Sequence, residues 1–268
     1  MVTSSNHAHA RALPLSIPPP RHAMSLPDHA YAAVSSSSPL RVKICGVVNL
    51  AAANAARRAG ADWIGLNFSP PSPRALDPPE SAAEIVAALG HERVVGLFVN
   101  RPVPEIAAFA QRVGLRLIQL HGDETPKEAQ LLASAGLQVI KAFRIGDAEA
   151  IAQARRWLDQ AHALTQGQVP FACLFDAFVP GRFGGTGATL AASLLEGLRP
   201  MMASSALRPI LAGGLTPENL AERLELCPAR PWMVDVAGGV ESAPGVKDPT
   251  RMAAFVAAAR RFAASRFE

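Results

Sequence analysis

The chain has 268 residues, 49% of them hydrophobic, with a formal net charge of +4 and an isoelectric point near 9.3. That is enough apolar material for one sizeable core, and no Lys/Arg run is long enough to mark a nucleic-acid surface. No apolar run approaches the ~18 residues of a membrane span, and Cys45, Cys173 and Cys227 form neither a metal-binding spacing nor a disulfide framework, which points to a reducing, cytoplasmic compartment.

Residues 1–40 stand apart. They hold PLSIPPP, SSSS, four of the seven histidines and a single acid, Asp28, without apolar periodicity. They read as a disordered tail, with an organelle transit peptide or a start at Met24 as alternatives. From residue 41 to 268 one theme repeats: a short apolar run, a small or polar residue, then an Ala/Leu-rich helical stretch. The predicted strands are 42–45, 62–68, 93–99, 115–121, 138–143, 171–177, 208–214 and 231–239. Helix starts are signalled by Asn49, by Thr125-Pro126, by Thr216-Pro217 and by Asp248-Pro249, and Gly60 and Gly136 mark two helix ends. Strands that are apolar throughout, each followed by a helix, form a parallel sheet covered by helices. Eight such units suit a single-domain (β/α)8 TIM barrel better than an open doubly wound sheet.

In that fold the active site lies at the C-terminal ends of the strands. Those ends carry Cys45, Asn67, Asn100, His121, Arg144, Asp176 and two glycine pairs, Gly213-Gly214 and Gly238-Gly239. Glycine pairs at the ends of the seventh and eighth strands let backbone N–H groups approach an anion, so a phosphorylated small molecule is the expected ligand. A further glycine-rich loop, 180–189, follows the sixth strand; it suits a cover or anion cradle and lacks the Walker ending.

Two groups at the rim carry possible chemistry. Cys45 is either a small buried hydrophobe or a general base, and Asp176 is either a cap or a general acid. Lys43, two residues from Cys45 and so on the same side of the strand, is expected to lower the thiol's pKa. Cys173 lies inside the sixth strand and reads as packing.

The segments VKICG (42–46), LNFSPPSPR (66–74), IQLHGDE (118–124), LFDAFVPGRFGGTG (174–187), LAGGLTPENL (211–220) and VDVAGGVESAPGVKDPTRM (234–252) together resemble phosphoribosylanthranilate isomerase, a barrel enzyme of tryptophan biosynthesis. The resemblance runs in order from about residue 42 to 260. It implies an Amadori rearrangement by general acid–base catalysis, with Cys45 as base and Asp176 as acid, and with no metal or cofactor. It further implies that Arg74 pairs bidentately with the anthranilate carboxylate, that His121 and Asp235 support the rim, and that Gly213, Gly214, Gly238 and Gly239 bind phosphate. Monomer and homodimer are both compatible with it. Three departures stand out: Ala237-Gly238 where the family commonly has two serines, Ala188 and the following TLAASLL in place of a more polar and aromatic stretch, and VVNL at 47–50. A neighbouring phosphosugar enzyme and a non-catalytic phosphate-binding barrel are the competing readings.

Overall fold

A computed structural model describes residues 39–165, 169–177 and 189–265. The tail expected over 1–40 falls outside the described residues except for its last two, and the glycine-rich loop expected over 180–189 does so except for Thr189.

Eight parallel strands form a closed barrel in chain order. They are β1 (Arg41–Cys45), β2 (Trp63–Asn67), β3 (Val94–Phe98), β4 (Leu117–Leu120), β5 (Gln138–Ile145), β6 (Ala172–Ala177), β7 (Pro209–Leu211) and β8 (Met233–Val236). The seam is a parallel ladder that sets Arg41, Val42, Lys43 and Ile44 against Met233, Val234, Asp235 and Val236. That ladder rules out the open sheet and leaves no exposed strand edge. The outer layer consists of α1 (Leu50–Arg58), α2 (Ala82–Leu89), α3 (Val103–Val113), α4 (Pro126–Ser134), α5 (Ala148–Thr165), α6 (Ala192–Gly197), α7 (Arg199–Met202), α8 (Leu220–Glu225) and α9 (Pro249–Ser265).

Alternation along the strands builds two cores. Outward residues such as Val42, Ile44, Ile64, Ile118 and Val234 pack against the helices. Inward residues Trp63, Val95, Leu117, Ile140, Leu174, Ile210 and Met233 fill the lumen. At its N-terminal end Trp63 and Trp232 meet edge to face with ring centroids 5.2 Å apart, which plugs the barrel floor. Continuing the same inward positions toward the C-terminal mouth gives Cys45, His121 and Asp176. The alternation that fills the floor therefore also aims the polar groups.

The helix signals act as read at three of the four starts. Asn49 Oδ1 accepts from Ala52 N at 2.8 Å, and Thr125 and Glu128 form a reciprocal capping box. Asp248 Oδ1 accepts from Thr250 N at 2.8 Å at the start of α9. The fourth is corrected. The helix predicted from Pro217 begins at Leu220, because Thr216 and Asn219 bond each other across a turn. Asn219 Nδ2 also donates to Gly214 O at 2.9 Å. This six-residue helix starts too far on to lend its dipole to the Gly213-Gly214 loop. β7 and β8 are likewise shorter than predicted. Gly213 and Gly214 take φ of +90° and +59°, which ends extended structure there.

Candidate active site

The mouth of the barrel opens into a cavity of about 1230 Å³. Every site residue that the resemblance assigned lines it: Cys45, Arg74, His121, Asp176, Asp235, Gly213, Gly214, Gly238 and Gly239. Strand ends supply Cys45, His121, Asp176 and Asp235. Arg74 comes from the loop after β2, and the glycines come from the loops after β7 and β8.

On one wall Cys45 is the last residue of β1 and is 7% exposed. Its register partner on β2 is Gly65, where a Cβ would lie 2.7 Å from Cys45 Sγ. Glycine at 65 thus leaves the room that the thiol occupies. Lys43, fully buried one pleat below, donates from Nζ to Asp235 Oδ1 at 3.1 Å and stands close enough to Cys45 for the two to act on each other's charge. Burial pushes Lys43 down, but Asp235 and Cys45 more than offset it, and the ammonium is held above its ordinary range.

Cys45 itself corrects an expectation. Burial pushes the thiol up, Lys43 pulls it down, Asp235 pushes it up again and Lys247 pulls it down. The net direction is upward from 9.0, not the lowering expected from Lys43 alone. The reason is that Lys43 arrives already paired: its carboxylate partner cancels part of its field at the sulfur, while desolvation penalises the thiolate in full. Cys173, buried among apolar side chains, is pushed up by burial alone and packs as expected.

On the facing wall Asp176, near the end of β6, sits with Oδ2 3.3 Å from His121 Nε2. Gln119, fully buried in β4, holds His121 from the other side, its Nε2 lying 2.8 Å from His121 Nδ1. The imidazole thus stands between the Gln119 amide and the Asp176 carboxyl. Gly213 approaches Asp176 so closely that a Cβ there would lie 3.0 Å from Oδ1 and 2.5 Å from Ala177 N.

Arg74 departs from the simple reading. Its Nε and Nη2 donate to the two carboxylate oxygens of Glu241 at 2.8 and 2.7 Å. The fork that was expected to take a substrate carboxylate is therefore occupied by a protein carboxylate. Glu241 opens a short antiparallel hairpin, β9 (Glu241–Ala243) and β10 (Val246–Lys247), that the sequence reading missed. Lys247 Nζ donates to Glu241 Oε1 at 2.7 Å and to Ala237 O at 3.0 Å. The available signal was Pro244-Gly245 between Glu241 and Lys247, a turn pair flanked by opposite charges. Gln119 was missed as well, although a fully buried amide inside an apolar strand is itself a signal.

Behind this wall, outside the lumen, Lys141 donates to Glu124 Oε2 at 2.8 Å and to Gly122 O at 2.7 Å. Glu124 also accepts from the backbone of Asn100 and Gly122. This buried cluster ties the loop after β4, which begins at His121, to β5 and to the end of β3. Among the described residues no three His, Cys, Asp or Glu side chains converge as metal ligands, and no helix is long and apolar enough to cross a membrane.

The sequence profile of the N-(5'-phosphoribosyl)anthranilate (PRA) isomerase family matches residues 42–258. The N-(5'-phosphoribosyl)anthranilate isomerase of Geobacter metallireducens is 41% identical over 226 residues, covering 82% of this chain and 99% of that protein. The solved phosphoribosyl anthranilate isomerase of Thermotoga maritima aligns with a TM-score of 0.70 at 33% identity, covering 83% of this chain and 99% of that one. A phosphoribosyl anthranilate isomerase in complex with reduced 1-(o-carboxyphenylamino)-1-deoxyribulose 5-phosphate aligns at 0.67 with 32% identity and the same coverage.

Proposed function

The chain belongs to the N-(5'-phosphoribosyl)anthranilate isomerase family, and from that membership and the rim geometry we propose that it rearranges N-(5-phosphoribosyl)anthranilate to 1-(2-carboxyphenylamino)-1-deoxyribulose 5-phosphate in tryptophan biosynthesis. The observation that carries the assignment of roles is that Cys45 and Asp176, far apart in sequence, line one cavity together with both glycine loops.

Asp176 gives a proton to the furanose ring oxygen, the C1'–O bond breaks, and the lone pair of the anilino nitrogen closes a protonated Schiff base. The Cys45 thiolate then removes the C2' proton, and the electron pair left behind neutralises the iminium as an enolamine. Tautomerisation to the ketone returns a proton to C1'. C2' is oxidised as C1' is reduced, so the step balances without an external redox partner. His121, with Nε2 3.3 Å from Asp176 Oδ2, keeps the acid turned so that Oδ1 is left for the substrate. Lys43 and Lys247 both lower the cost of the thiolate, and the raised pKa that remains makes that thiolate a stronger base once formed.

Arg74 takes the anthranilate carboxylate through Nη1, which has no protein partner among the described residues, while Glu241 holds its other edge. This replaces the bidentate contact with a single charge-assisted one. The phosphate sits at the Gly213-Gly214 and Gly238-Gly239 loops.

Turnover of phosphoribosylanthranilate by the purified protein tests the proposal. Cys45→Ser and Asp176→Asn are each expected to lower kcat by about 10²–10⁴-fold while the circular dichroism spectrum stays that of the wild type. Wild-type turnover in either variant would remove the assigned role.

A further inference from the structure

The glycine end of the cavity has shape but little charge. Gly213, Gly214, Ala237, Gly238 and Gly239 line it and offer no side-chain donors. The two loops are pressed together: a Cβ on Gly239 would lie 1.8 Å from Leu215 O, so the second loop rests directly on the first. Backbone N–H groups can orient a phosphate, but they do not neutralise a dianion. The other arginines that line the cavity stand on other walls, each beside a carboxylate. Arg74 is bound to Glu241, Arg101 bonds Glu105, and Arg144 bonds Asp123. Arg101 follows β3 and Arg144 lies on β5, both remote in barrel order from the β7–β8 loops.

Arg251 is the exception. It lies in the first turn of α9 and lines the same cavity. Its Nε donates to Gly239 O at 3.2 Å, which places the guanidinium at the rim of the second glycine loop. Its backbone is fixed by Asp248 Oδ1, which accepts from Arg251 N at 3.2 Å. Its one carboxylate neighbour, Glu218, lies 3.5 Å from Nη2 and is 67% exposed, a weak contact that a ligand can replace. Nη1 has no protein partner among the described residues.

The geometry points to Arg251 as the cation that recognises a phosphomonoester dianion at the β7–β8 end of the cavity, supplying the charge that the glycine loops lack. This inference rests on the isomerase reading for the identity of the phosphoester, and on the chain's own geometry for the residue. Nε holds the loop through Gly239 O, and Nη1 reaches the phosphate. Removing one such charge-assisted contact lowers affinity on the order of 10- to 100-fold.

The test compares the wild type with Arg251→Gln and Arg251→Lys in two ways. The first is steady-state turnover of phosphoribosylanthranilate, with inorganic phosphate and anthranilate as competing inhibitors. The second is calorimetric titration with inorganic phosphate alone. Arg251→Gln is expected to raise KM by about tenfold or more, with most of the loss in KM rather than kcat. It should weaken phosphate binding by a similar factor and leave inhibition by anthranilate within about twofold. Arg251→Lys should fall between the two, because it keeps the charge but not the fork. Equal weakening of phosphate and anthranilate would mean that Arg251 only supports the loop, and would overturn the inference. So would equal phosphate affinity in wild type and Arg251→Gln, including none in either. A wild type that does not turn over the substrate would defeat the isomerase reading, and the calorimetric comparison would still decide the role of Arg251.

Discussion

At Cys45 the question of filler or reagent turns on neighbours that are distant in sequence. The KIC triplet showed that Lys43 and Cys45 share a side of the strand, and that much was legible. It did not show Gly65 opening space for the sulfur, nor Asp235 pairing with Lys43 across the β1–β8 seam. Those depend on the register of β1 with β2 and β8, which no local pattern specifies. Burial, which the triplet does not report, is the chief reason the thiol's shift had the wrong sign in the sequence reading, and Asp235 adds to it. A measurable consequence follows. In the free protein the thiol's pKa lies above 9.0, pushed there chiefly by burial. Alkylation of Cys45 by iodoacetamide, measured against Cys45→Ala, should therefore keep accelerating above pH 9 instead of levelling off near it. A plateau below pH 8 would show a thiolate already formed at neutrality, and would mean that the field of the two lysines outweighs burial. The enzyme's turnover should rise over the same alkaline range, as far as the acid partner allows.

The elements that close the site show where sequence patterns lose force. Long helices with good caps, such as α4 with its Thr125–Glu128 box, were placed from residue types alone. The β9–β10 hairpin was not, because its strands have three and two residues, too few to display a period of two. Yet this hairpin carries Glu241, which joins Arg74 of the β2 loop to Lys247 at the hairpin's far end. Burial pushes the Glu241 carboxyl up, but hydrogen bonds from Arg74 and Lys247 outweigh that and hold it below 4.5. A carboxylate whose folded value lies below its unfolded one adds stability that is complete above 4.5 and is lost as pH falls through the folded value. Glu241→Gln should accordingly lower stability by about 3 kcal/mol near neutral pH, since Lys247 and Arg74 lose a buried partner. Thermal melts of both proteins from pH 7 to pH 3 should show the gap narrowing below pH 4.5. A gap of constant size across that range would assign the effect to packing rather than to the carboxylate's charge.

At the scale of the whole barrel, structure and chemistry meet at the seam. Closing eight strands requires β8 to find β1, and in that ladder Lys43 and Asp235 are register partners. A charged pair inside the lumen is a poor source of net stability, because desolving two ions costs about as much as their attraction returns. Removing only one partner is a different matter, since it leaves an uncompensated, largely buried charge. Lys43→Met and Asp235→Leu alone should each cost about 3–5 kcal/mol in urea denaturation, whereas the double variant, apolar on both sides of the seam, should come within roughly 1 kcal/mol of wild type. Costs that simply add would show that the pair is not coupled and that each residue serves the fold separately. Activity should not follow stability. Lys43 pulls the Cys45 thiol down more than Asp235 pushes it up, so losing both leaves the sulfur harder to ionise than before. The double variant is therefore expected to fold like the wild type while the alkaline rise of its pH–rate profile moves to higher pH. On that outcome the barrel closes without this ion pair, and what the pair adds is a field that lowers the cost of the Cys45 thiolate.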